Sequence, residues 1–189
     1  MNPRSLLIIS KWANLFTCFS ITKNPRDVID TISSRAVLIP GRFASERKIV
    51  LDAIREEIRR RDYLPILFDF DKPSSRNLTE TVSTVAHIAK FVIADITDAK
   101  SIPQELQRII PNLPSLPVQP LILSTAYEYA MFKDLMDYPW VLEPYRYADV
   151  HELVSSLEIK VIAPAAGKVK ELEQRRKRLE DRTRKRPKQ

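Results

Sequence analysis

Three carboxylates fall within eleven residues, at Asp95, Asp98 and Glu105. They follow the apolar run Phe91-Val-Ile-Ala, which reads as a buried strand ending at Ile96. Ser101 then reads as a helix N-cap, with Pro103 and Glu105 in the first turn. A carboxylate there is stabilised by unpaired N–H groups and the helix dipole, and so stays ionised. Such an anion can stabilise a developing sugar cation or attack an anomeric carbon, as oxocarbenium-like chemistry requires. Glu105 is therefore the candidate catalytic residue, although a glutamate that merely favours the dipole has the same spacing. Asp95 can accept ribose hydroxyls, or can fold back on the N–H of Thr97 or Lys100 as a loop-forming turn. Asp98 offers the same two roles.

Pro40-Gly41-Arg42-Phe43 is the second candidate loop. Gly41 permits a positive φ or a close backbone approach. Arg42 could hold a phosphate and Phe43 could stack on a base, or the pair could form an ordinary turn with the Phe covering the sheet edge. Asp69, Asp71, Lys72 and Arg76 mark a polar loop, and His87 a helix. The late aromatics, Tyr127 to Tyr147, read as packing rather than as a stacking platform.

These loops need strands to hold them. Ala36–Ile39, Tyr63–Phe68, Phe91–Ile96, Val118–Leu123 and Trp140–Leu142 read as five strands. Helical patterns separate them: Ser45, as N-cap, to Arg61; Thr79–Ala89; Ser101–Ile110; Glu128–Tyr138. A short helix at Asp27–Ile32 leads in, and an amphipathic one at Asp149–Lys160 follows. Strict alternation predicts an α/β domain with a parallel sheet and helices on both faces. Pro65 removes a ladder donor and assigns the second strand to an edge, whereas Pro120 argues against a central place for the fourth. The expected order is flavodoxin-like, 2-1-3-4-5. Its switch point lies between strands one and three, where the loops of Arg42 and Asp95 meet.

Two glycines in 189 residues exclude a Gly-rich phosphate loop of either common type. One cysteine, Cys18, excludes an intramolecular disulfide or a cysteine-based zinc site, suits a reducing cytoplasmic compartment, and with two histidines leaves no metal or cofactor expected. No stretch approaches the ~20 apolar residues of a membrane span. Residues 1–33 are expected to be a leader and short helix, because Lys11 breaks the apolar run after Arg4 and no cleavage site follows. Residues 34–163 form the domain and 164–189 a basic helix or disordered tail. From Lys168 on, eleven Lys/Arg face four Asp/Glu, so this segment carries the whole net charge of +7. Non-specific contact with nucleic-acid phosphate would rest on it alone.

Phe91-Val-Ile-Ala-Asp-Ile-Thr-Asp followed by Pro103-Gln-Glu-Leu resembles the TIR-like and nucleoside 2-deoxyribosyltransferase-like superfamily. The region from Ser34 to Lys160 is similar to TIR-like modules of bacterial proteins. The resemblance implies a flavodoxin-like sheet and a nucleotide ligand, NAD or a nucleoside, whose N-glycosidic bond is cleaved. Glu105 would be the functional glutamate and Asp95 the acid near the ribose. Arg42 and Phe43 would form the first substrate loop, with Asp98 and Ser101 completing the site. Phe-Glu-Leu-Gly is typical of the transferases, but Gln107-Arg108 follows Glu105-Leu106 here. TIR hydrolases commonly place a Trp or Ser shortly before the glutamate, and Ser101 is four residues earlier. Many TIR-like domains are instead catalytically silent and act by self-association, in bacterial signalling or defence.

Overall fold

Five short, mostly apolar runs become one parallel sheet in the computed structural model, which describes residues 24–69, 78–97, 102–127 and 130–184. The strands are β1 (Ala36–Gly41), β2 (Leu64–Asp69), β3 (Phe91–Asp95), β4 (Val118–Leu123) and β5 (Tyr145–Tyr147). Their order is β2-β1-β3-β4-β5, with every pairing parallel. This is the flavodoxin-like α/β arrangement the alternation predicts. β1 and β3 are buried at every position, as a sheet covered on both faces requires. β2 lies at an edge, as Pro65 demands.

The helices are α1 (Pro25–Ser33), α2 (Ser45–Arg60), α3 (Leu78–Ile88), α4 (Ile102–Asn112), α5 (Ala130–Met136), α6 (Val150–Leu157) and α7 (Ala163–Arg184). Val37, Ile39, Phe91, Ile93, Leu121 and Tyr147 pack on one face against α2, α6 and α7. Leu38, Val92, Ala94, Val118 and Ile122 pack on the other against α3, α4 and α5. The period-two alternation of β3 therefore fixes which face Asp95 addresses: that of Phe91 and Ile93.

Three elements differ from the expectation. The fifth strand is Tyr145–Tyr147, and of the expected Trp140–Leu142 only Val141 forms an isolated bridge, to Val118. Between that bridge and the Leu121–Tyr145 pair, four steps on one chain face three on β4, so a bulge intervenes. Pro120 sits opposite it. Val118 and Ser124 direct their N–H groups towards β5, so Pro120, in phase with them, lacks its donor where the ladder is already open. The buried Gln119 side chain fills the gap, its Nε2 donating to Glu143 O (2.8 Å) and Pro120 O (3.1 Å). A proline is thereby tolerated in a central strand.

Ser45 is the first residue of α2 rather than its cap. Ala44 holds the cap position, with no side-chain hydrogen bond. At the other end Asp62 adopts φ 64°, and the N–H groups of Asp62 and Tyr63 close on Arg59 O and Ile58 O. That is a Schellman ending in which Asp takes the usual glycine position.

The third difference lies after α6. Asp149 caps it by accepting from Glu152 N (2.8 Å), and the Glu152 carboxylate in turn accepts from Ala148 N (2.7 Å). The helix then passes through a π turn, Glu158–Ile162, directly into α7. Pro164 explains the widening, because its ring cannot fit against the carbonyl four residues back. Leu153, Leu157, Val161, Ala165 and Val169 recur every four residues, and all are buried. Such a stripe drifts by about 40° per step in a regular helix. The inserted residue resets that drift and keeps the stripe on the sheet. The boundary expected at Pro164 thus falls inside one helix, whose last buried residue is Leu172. The expected leader, up to residue 23, lies outside the described residues.

Candidate functional site

Asp95 ends β3 on the face covered by α2 and is 3% exposed. An ionised carboxylate at such a depth needs partners. Arg47 supplies the charge from the first turn of α2, where the helix dipole itself disfavours a cation. Tertiary pairing overrides that preference. Arg47 Nε donates to Asp95 Oδ2 at 3.0 Å, and Nη2 donates to the same oxygen. Thr97 covers the other oxygen, Oδ1, with its N–H (3.1 Å) and its hydroxyl (2.6 Å). Two donors on each oxygen fill the acceptor capacity of a carboxylate.

The cluster extends across the sheet. Thr97 Oγ1 accepts from Leu123 N (3.0 Å), pairing a β4 donor just past the end of β3. Arg47 Nη2 also donates to the hydroxyl of Tyr147, a fully buried residue of β5. The Arg47 guanidinium carbon stands 5.9 Å from the Tyr147 ring centre. Burial disfavours the Arg47 charge, but the Asp95 carboxylate and the hydrogen bonds to Asp95 and Tyr147 outweigh it, so its pKa is raised. Burial, then the Asp95 charge, also raises the Tyr147 pKa and keeps it a phenol. The result is a buried lock over the C-terminal ends of β3, β4 and β5.

The remaining candidates surround this lock. Gly41 ends β1 without a positive φ. Its role is close approach: a Cβ there would lie 2.7 Å from both Leu51 Cδ atoms. Arg42 and Phe43 follow and are half-buried, with the Phe43 ring packed on the core of the α2 face. Glu105 is the fourth residue of α4, so its backbone lies in the first turn at the same end of the sheet. Asp98 and Ser101 lie outside the described residues, as do Asp71, Lys72 and Arg76.

β1 neighbours β3 in the sheet, so the Arg42–Phe43 loop and the end of β3 meet at the switch point as expected. From sequence Arg47 carries no signal of its own, and Tyr147 reads only as one of the late packing aromatics. The signal available was Asp95 itself: an acid ending an otherwise apolar strand requires a cation nearby. His87 is exposed, with Nδ1 2.6 Å from Ser83 O in its own helix. A cleft of about 280 Å³ beside it, lined by Ala86, Ala89 and residues 113–116, lies at the opposite end of the sheet.

Among the described residues no cluster of three or more His, Cys, Asp or Glu could hold a metal. No described helix is long and apolar enough to cross a membrane. Compared with known proteins, the chain matches no family model and no curated protein.

Proposed function

We propose that this chain is a TIR-like nucleotide-binding module that hydrolyses the N-glycosidic bond of NAD or a related nucleotide at the C-terminal edge of its sheet. One observation carries this: the 2-1-3-4-5 order sets the loop of Arg42 and Phe43 beside the end of β3, with Glu105 in the next helix's first turn. Ligands of open α/β sheets bind at such a switch point. In this proposal Glu105 stabilises the cationic sugar as the C1′–N bond breaks and its electron pair neutralises the departing pyridinium. Water then adds to C1′ and loses a proton. Arg42 contacts phosphate and Phe43 borders the base. Asp95 acts indirectly: its oxygens are already filled by Arg47 and Thr97, so it holds the end of β3 in place rather than the ribose.

The test is incubation with NAD at high protein concentration, following nicotinamide release, with Glu105→Ala in parallel. Release by wild type alone is expected. Release retained in Glu105→Ala would overturn the role of Glu105.

The saturation of Asp95 favours a second possibility, a non-catalytic TIR-like module that assembles through its surface. Concentration-dependent oligomers without nucleotide binding would decide for it.

A further inference from the structure

Beyond Leu172 the helix α7 runs on from Glu173 to Arg184 with every residue exposed. Twelve residues of helix extend about 18 Å. The inner line that packs on the domain, Ala165, Val169 and Leu172, continues along this arm as Arg176, Leu179 and Thr183. The opposite half carries Lys177, Arg178, Arg182 and Arg184 with one acid, Asp181, and no apolar residue. Arg175 flanks it. These five cations have no intramolecular partner among the described residues, whereas Lys168 and Arg176 pair with Glu171 and Glu180.

We infer that this outer face of α7 is a docking surface for the phosphate backbone of double-stranded nucleic acid. Arginine predominates, and its planar fork matches phosphate oxygens in pairs. Lying within a membrane interface needs an apolar face beside the cations, whereas charge alone draws a polybasic segment only to the anionic surface. The only large apolar residue of the arm, Leu179, points along the inner line instead. Single-strand binding uses aromatic side chains for stacking, and the arm has none. A bare cationic helix fits a groove of B-form DNA, whose major groove admits one. No base is read, so the contact is independent of sequence. The body of the chain is close to neutral, so the attraction comes from the basic C-terminal segment, of which the arm carries six Lys/Arg against three Asp/Glu.

The experiment measures anisotropy of a labelled random-sequence DNA duplex with full-length protein, with phosphatidylserine vesicles in a parallel sedimentation assay. Three proteins are compared: wild type, Lys177→Gln/Arg178→Gln/Arg182→Gln/Arg184→Gln, and the control Arg26→Gln/Lys48→Gln/Lys133→Gln/Lys160→Gln. The control removes equal charge from exposed positions of the body. Wild type is expected to bind duplex and to lose roughly a hundredfold in affinity between about 50 and 200 mM salt, the dependence of about four phosphate contacts. The arm variant is expected to lose at least about tenfold at low salt and to flatten that dependence, and the control to bind as wild type does. No binding by wild type, an equal loss in the control, or tighter binding to vesicles than to duplex would each overturn the inference.

Discussion

Two arginines, Arg47 and Arg61, stand near opposite ends of α2 and each bridges that helix to another part of the chain. Arg47 is half-buried, its side chain 13% exposed against 4% for the buried Asp95. Arg61 is 28% exposed and joins Glu57 of α2 to Glu158, the first residue of the π turn, which is 52% exposed. Arg61 Nε reaches Glu158 Oε2 at 2.6 Å, so both pairs have close geometry. They differ in solvent. Water can replace Glu158 as a partner of Arg61, but it reaches Glu57, whose side chain is 9% exposed, and Asp95 poorly. The same chemistry therefore acts as a lock at one end of the helix and as a clasp at the other.

The contrast is broken most directly at Arg47. Replacing it by Met leaves a buried carboxylate with half its donors, and a loss of about 3–5 kcal/mol is expected in urea denaturation. A loss below about 1 kcal/mol would place the lock in the class of surface pairs.

Arg61→Met is expected to cost about 1 kcal/mol. Acid sharpens this arm of the comparison. The hydrogen bond from Arg61 holds the Glu57 carboxyl below its ordinary value, against the effect of burial, with Arg60 assisting. A lowered pKa gives stability that is present above the unfolded carboxylate value, about 4.3, and is lost as pH falls through the folded value. Wild type should therefore exceed Glu57→Gln in stability at neutral pH, and the gap should close on acidification below about pH 4. A gap that stays constant with pH would remove the ion pair as its cause.

The smallest expected effect has the opposite sign. Asp62 holds its left-handed conformation only one residue beyond Arg61, and its ion pair with Arg35 (3.0 Å) is well exposed. Asp62→Gly should raise stability by about 0.5–1 kcal/mol, read as a higher midpoint at unchanged m-value. A fall would show that the Arg35 pair outweighs backbone strain.

Strand order was legible because Pro65 and the apolar runs are local signals with one topological solution. β5 was not. Trp140-Val-Leu142 has a strand's composition, yet Trp140 instead donates to Ile110 O in α4 (2.9 Å) and the chain pairs fully only from Tyr145. That choice is made by the bulge opposite Pro120, a tertiary event. Asp95 was legible as a special residue, and its fold-back on Thr97 was one of its two readings. Its partner Arg47 lies 48 positions away in a helix turn with nothing unusual in composition. The continuation of the helix past Pro164 was hidden because proline ordinarily ends one, and only the π turn before it removes the clash.

That π turn has a further consequence for the arm. α6 and α7 form a single shaft, clamped along the sheet and free beyond Leu172, so the bearing of its free end is fixed by the count of residues in the shaft. One residue is about 100° of rotation. Deleting a residue from the π turn would swing the cationic side of the arm by more than a quarter circle relative to the body. The insertion that seats an apolar stripe on the sheet also aims the charges outside it.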